Sequence, residues 1–172
     1  IMKLALFGGE KSVQNIALLR QNDYSLSSIE SVTTLLEKGR ISFPGGDGPI
    51  QQLENNFSIY MGVNYVLTMN SGTSALHSAY FSLGLCPGDE VLVPDYAFHA
   101  SYLPLYNLGV KPVPVRINDE TLTLNPNLIK DAITTKTKAI LVVHTWGLPA
   151  DMEYILDISK EYGLKVVEDC SR

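Results

Sequence analysis

Cysteine is scarce, and its two positions, Cys86 and Cys170, lie too far apart in sequence to suggest a disulfide framework. The three histidines, His77, His99 and His144, share no metal-ligand spacing with each other or with cysteine, so no metal site is expected. Runs of Lys or Arg are missing and the formal net charge is −5, which argues against a nucleic-acid partner. No apolar stretch approaches the length needed to cross a bilayer. The opening IMKLALF is too short for a signal-peptide core, so the expected compartment is the cytoplasm. Internal repeats and low-complexity segments are also lacking.

What the chain does have is enough apolar material for a core. Its 172 residues are 45% hydrophobic and 18% charged, the balance of a globular protein rather than a disordered one. Residues 27–38 carry Ile29, Val32, Leu35 and Leu36 at helical spacing, with Gly39 as a stop. The loop FPGGDGP (43–49) fits neither a Walker motif nor GxGxxG and reads as a flexible turn. A second helix is expected over 50–61, with Ile50, Leu53, Phe57 and Tyr60 on one face.

From Tyr65 onward the chain alternates between apolar runs and amphipathic stretches. Strands are expected at 65–69, 91–93, 113–117, in KAILVVH and in LKVVE. Helices are expected after Asn70, near 98–107 with a bend at Pro104, at NPNLIKDAI, and at DMEYILDISKEY with Gly163 as its stop. Continuously apolar strands separated by helices imply a mostly parallel sheet covered on both faces, an α/β fold of three layers, α/β/α. Residues 1–45 read as an N-terminal arm with one helix, and 46–172 as part of the larger domain.

In such sheets ligands gather beyond the carboxyl ends of the strands. Four segments fall there: Asn70–Ser74, Pro94–His99, His144–Gly147 and Glu168–Arg172. In the first, small hydroxyl and glycine residues open a helix, whose free amides and positive dipole end suit a phosphate. Ser and Thr also cap helices with nothing bound, and the pattern alone leaves both readings open. Asp169 ends a buried strand, where a carboxylate needs a partner, although an Asp there can also cap the next turn. Phe98 and Trp146 read equally as core aromatics, His144 as a hydrogen-bonded structural histidine, and Cys170 as a small buried filler, with an exposed thiol as its alternative.

Taken in order, the segments GPIQQLENNFSIYMGVNYVLTMNSGTSAL, PGDEVLVPDYAFHAS, GVKPVPVRIN, TKAILVVHTWGLPADM and VVEDCSR resemble the DegT/StrS-type sugar aminotransferases. These are pyridoxal 5'-phosphate enzymes of the aspartate aminotransferase fold. The resemblance implies that Gly72 and Thr73 hold the cofactor phosphate, that Phe98 stacks on the pyridine ring and that Asp169 pairs with the ring nitrogen. A carboxylate there keeps the pyridinium protonated, so that the ring accepts electrons from the substrate's α carbon. His144 and Trp146 lie near the site, with less defined roles.

Two departures accompany the resemblance. Arg172 stands where the family usually carries Gln or His near the cofactor's 3-hydroxyl, and a guanidinium has a different reach and charge. The family's Schiff-base lysine lies downstream of the aspartate motif and has no counterpart in these residues. Lys111, Lys138 and Lys165 begin expected strands, on the order of 15–20 Å from the ligand edge. The other six lysines fall on the arm, helices or turns. The 172 residues therefore read as the N-terminal portion of an incomplete cofactor-binding domain, inactive alone.

The implied reaction moves an amino group from glutamate or glutamine to a ketosugar or keto-cyclitol, in nucleotide-sugar or polysaccharide biosynthesis, within a homodimer. The opening KLALFGGEK is similar to the cyclitol and aminobenzoate branches. Three alternatives compete with this reading. One is a sugar dehydratase of the same family, another is a truncated non-catalytic partner, and the third is a generic nucleotide-binding domain indifferent to Asp169.

Overall fold

A computed structural model describes residue 10, residues 24–43 and residues 46–171. The chain divides into two units, residues 1–66 and 67–172. In the first, helix α1 spans Leu26–Glu37 and helix α2 spans Gly48–Met61. The Ser25 hydroxyl caps α1 by accepting the Ser28 amide at 3.1 Å. Pro49 fits the first turn of α2, and Gly62 ends it in the left-handed region, at φ 66°, where glycine carries no steric penalty.

The second unit is the α/β body. Helix α3 (Gly72–Ser82) leads to strand β1 (Glu90–Pro94), then to a 3₁₀ turn at His99–Ser101 and helix α4 (Leu103–Asn107). Strand β2 (Lys111–Val115), helix α5 (Ile129–Ala132), strand β3 (Thr137–Val143), helix α6 (Met152–Tyr162) and strand β4 (Lys165–Asp169) follow. The sheet order is β2-β1-β3-β4, every pairing parallel.

Alternation along the central strands divides the core in two. On one face Val91, Val93, Ala139, Leu141 and Val143 pack with Leu76 and Tyr80 of α3 and Leu105 of α4. On the other, Leu92, Ile140 and Val142 pack with Ile129 of α5 and Ile155 and Ile158 of α6. This is the expected three-layer arrangement. β2 is an edge strand, which accounts for its two prolines. The Lys111 amide donates toward the sheet, to Asp89 O at 2.9 Å, so Pro112 and Pro114 fall on the alternate residues facing away.

Three expectations need correction. Residues 65–69 form no strand; they pair with no ladder among the described residues, and Tyr65 and Leu67 are exposed. An apolar run becomes a strand only when a neighbour takes its backbone groups. The single bent helix near 98–107 is instead a 3₁₀ turn followed by α4. Pro104 sits in the first turn of α4, where its missing N–H costs nothing. The strand expected at 113–117 lies two residues earlier, at Lys111–Val115.

Candidate active site at the carboxyl edge of the sheet

The ends of β1, β3 and β4 and the start of α3 converge around a cavity of about 490 Å³. That volume lies within the range of small-molecule sites, roughly 300–1,000 Å³. All four segments picked out by the strand-end rule contribute to its lining.

The start of α3 forms one wall. The Ser71 hydroxyl accepts the Ser74 amide at 3.1 Å, so one of the small hydroxyl residues does cap the helix. The first intrahelical bond runs from the Ala75 amide to Ser71 O at 3.0 Å. Gly72 and Thr73 precede it, so the helix supplies no carbonyl for their amides. A Cβ on Gly72 would meet Ser171 Cβ at 3.5 Å, which places the start of α3 directly beside the end of β4.

Asp169 is 6% exposed and lines the same cavity. Its Oδ2 accepts the Ser101 hydroxyl at 2.6 Å; its Oδ1 accepts the Ser171 amide at 3.1 Å and the Ser171 hydroxyl at 2.6 Å. Three donors converging on one carboxyl group suit an ionised carboxylate, which is an acceptor only. The Ser171 amide closes an Asx turn, so Asp169 also organises the backbone beyond the strand.

Aromatic side chains stand at the mouth. Phe98, at the start of the 3₁₀ turn, is 54% exposed. Trp146 meets Tyr96 edge-on, with ring centroids 6.2 Å apart. Trp146 holds a left-handed backbone at φ 52°, a conformation a bulky residue adopts only under constraint. The neighbouring Thr145 hydroxyl donates to the carbonyl of Leu122 at 3.0 Å, and Leu122 is left-handed as well, at φ 56°. His144 also lines the cavity, with both ring nitrogens engaged: its Nδ1 accepts the Ala150 amide at 3.1 Å, which assigns the ring proton to Nε2, 3.0 Å from Glu168 Oε2.

Comparison with known proteins decides the lineage. Residues 23–172 match the DegT/DnrJ/EryC1/StrS aminotransferase family. The chain belongs to this family. It is 37% identical over 143 residues to dTDP-3-amino-3,4,6-trideoxy-alpha-D-glucose transaminase from Streptomyces venezuelae, covering 83% of this chain and 37% of that protein. The crystal structure of NtdA from Bacillus subtilis with bound cofactor PMP superposes with a TM-score of 0.77 at 38% identity, covering 82% of this chain and 32% of that one. GDP-4-keto-6-deoxy-D-mannose-3-dehydratase from E. coli with bound hydrated PLP gives 0.78 at 25% identity, covering 86% and 39%. The chain thus spans less than two fifths of the length of these relatives.

Within this aminotransferase-family fold, Gly72, Thr73, Phe98 and Asp169 share the lining of one cavity. Arg172 lies outside the described residues. No described lysine lines the cavity. Lys111 stands at the far end of the sheet, 3.0 Å from Glu90 Oε1, and Lys165 begins β4. Among the described residues no His/Cys/Asp/Glu group could hold a metal ion. No described helix is long and apolar enough to cross a membrane. Cys170 is exposed rather than a buried filler. Partial desolvation and the flanking carboxylates of Glu168 and Asp169 nevertheless push its thiol pKa up, away from the reactive thiolate.

Sequence reasoning missed Ser101. It lies 68 residues from Asp169, and a lone serine in an apolar turn carries no local signal. Tyr80 stands at helical spacing from Leu76 on α3, a pattern that marks a core position and nothing more. It is fully buried, yet its hydroxyl donates to Ser101 O at 2.7 Å.

Proposed function

We propose that this chain is the N-terminal portion of a pyridoxal-phosphate-binding domain. The protein it belongs to transfers an amino group from glutamate or glutamine to a ketosugar or keto-cyclitol. The observation that carries the reading is the set of groups that share one cavity. The start of α3 brings the Gly72 and Thr73 amides and the Thr73 hydroxyl to its lining, the end of β4 brings the Asp169 carboxylate, and Phe98 joins them half-exposed. Such a donor set fits a ligand with an anionic tail and a basic heteroaromatic ring, which describes pyridoxal phosphate.

In this reading the amides of Gly72 and Thr73 hold the phosphate. Phe98 covers one ring face, and Asp169 keeps a proton on the ring nitrogen by holding negative charge beside it. Arg172 is assigned to the neighbourhood of the 3-hydroxyl on the family resemblance alone. The bound group supplies an electron sink for carbanionic chemistry at the substrate's α carbon. Homodimerisation, cytoplasmic residence and the sugar or cyclitol acceptor belong to the same proposal, as does the division into an arm at 1–45 and a cofactor-binding portion at 46–172. The dehydratase among the structural neighbours keeps a second reading in play, with the same cofactor site serving dehydration.

Titration of pyridoxal phosphate into the chain, followed by its visible absorption and by Trp146 fluorescence, tests the cofactor reading. Saturable binding that inorganic phosphate competes away, and that Asp169→Asn weakens in a protein with an unchanged circular dichroism spectrum, is the expected result. Binding indifferent to Asp169 would rule out the assignment. For the protein encoded by the whole reading frame, amino transfer from labelled glutamate separates transamination from dehydration.

A further inference from the structure

Ser101 engages three elements at once. Its amide donates to Phe98 O at 2.9 Å, which closes the 3₁₀ turn carrying Phe98. Its carbonyl accepts the Tyr80 hydroxyl at 2.7 Å, from the last turn of α3. Its hydroxyl donates to Asp169 Oδ2 at 2.6 Å, at the end of β4. The residue is 3% exposed and Tyr80 is fully buried, so water does not compete for these bonds. Burial first, and the Asp169 charge second, hold the Tyr80 phenol well above its ordinary range, so it remains a donor at any physiological pH.

The two oxygens of Asp169 are restrained differently. Oδ1 is held by Ser171, two residues away in the same turn. Oδ2 is held by Ser101, anchored from α3 and from the Phe98 turn. The Ser101 bond adds a restraint from a distant element on a terminal torsion that is intrinsically a broad, roughly two-fold rotor. With it, the carboxylate plane is tied to the turn that presents the aromatic ring.

We infer that Ser101 is a positioning residue, its hydroxyl fixing the orientation of the Asp169 carboxylate relative to Phe98 so that a heteroaromatic ring nitrogen is met by a directed acceptor. Tyr80 supports it by pinning the Ser101 carbonyl. The inference rests on the cofactor reading of the cavity. It adds a specific requirement: discrimination for a nitrogen at that ring position depends on a hydroxyl at 101.

The test compares the affinity of the protein encoded by the whole reading frame for pyridoxal phosphate and for its 1-deaza analogue, in which carbon replaces the ring nitrogen. Wild type should prefer pyridoxal phosphate. Ser101→Ala should shrink that preference by about tenfold, the scale of one hydrogen bond to a charged group. Ser101→Thr, which keeps a hydroxyl, should restore it. Inorganic phosphate should bind all variants alike, because the start of α3 is untouched. Tyr80→Phe keeps the core filled and the Ser101 hydroxyl present but unpins the Ser101 carbonyl, and serves if the alanine variant does not fold; it should lower the preference by a smaller factor. A wild-type preference that survives unchanged in Ser101→Ala, or in Tyr80→Phe where only that variant folds, overturns this inference alone. A wild type with no preference removes the cofactor reading and this inference with it.

Discussion

His144 and Glu168 meet across the ends of neighbouring strands, Nε2 to Oε2 at 3.0 Å, while the opposite ring nitrogen of His144 accepts the Ala150 amide. Ala150 is buried and opens the approach to α6, so the histidine fastens the loop after β3 to the sheet. His144→Ala should cost about 1–3 kcal/mol, the penalty for leaving a buried amide unpaired. Asn at 144 can place its amide oxygen near the Nδ1 position and should recover part of the loss. Urea unfolding of the three proteins checks both points, and equal midpoints would deny the histidine this role.

Phe98 leaves 54% of its surface exposed at the cavity mouth, an unusual position for a side chain with only a packing role. If its ring covers a bound heteroaromatic face, Phe98→Ala should weaken pyridoxal phosphate binding by the worth of one aromatic pair. That is about 0.5–1.5 kcal/mol beyond lost area, or several-fold in dissociation constant. Phe98→Trp should hold the affinity. Because the ring is half out of the core, thermal stability should scarcely change. A large drop in melting temperature with unchanged binding would make Phe98 a core residue after all.

Much of this molecule was legible from its sequence because local signals and burial agree. Uninterrupted apolar runs such as AILVV mark strands buried on both faces, and Gly163, left-handed at φ 67°, marks the end of α6. The strand-end rule brought four segments to one cavity without any side-chain information. Residues 65–69 defeated the same logic, because an apolar run says nothing about whether a neighbour is present to pair with it. Ser101 and Tyr80 defeated it for another reason. Their importance lies in bonds to residues 68 and 21 positions distant, and no local periodicity encodes such pairings. The left-handed Trp146 was equally invisible: it follows Thr145, whose hydroxyl reaches Leu122, 23 positions away and itself left-handed.

Ile140 is fully buried at the centre of β3, packed with Ile155 and Ile158 of α6. Truncation to alanine should cost about 2–5 kcal/mol, combining lost transfer energy with the cavity left behind. Ile140→Val should cost about 0.5–1.5 kcal/mol. Lys138, two residues earlier on the same strand, is exposed, and Lys138→Ala should stay within about 0.5 kcal/mol. Chemical denaturation separates the three. A mild loss at Ile140→Ala would mean that α6 collapses onto the sheet to fill the gap.

Glu90 provides a pH test far from the cavity. It is 6% exposed at the amino end of β1, where Thr134 Oγ1 donates to Oε2 at 2.6 Å and Lys111 Nζ to Oε1 at 3.0 Å. The Thr134 hydroxyl first, then the Lys111 ammonium, hold its pKa below the ordinary value of about 4.5, against the opposing effect of burial. The folded state therefore favours the ionised form. Stability from this group is complete above the unfolded-state value and is lost as pH falls through the lower folded value. Unfolding free energies of wild type and Glu90→Gln should differ most near neutrality and converge in acid. Thr134→Val removes the largest cause and should move the wild-type acid limb to higher pH. A gap between wild type and Glu90→Gln that stays constant or widens toward acid would show that the carboxylate is not stabilised in its charged form.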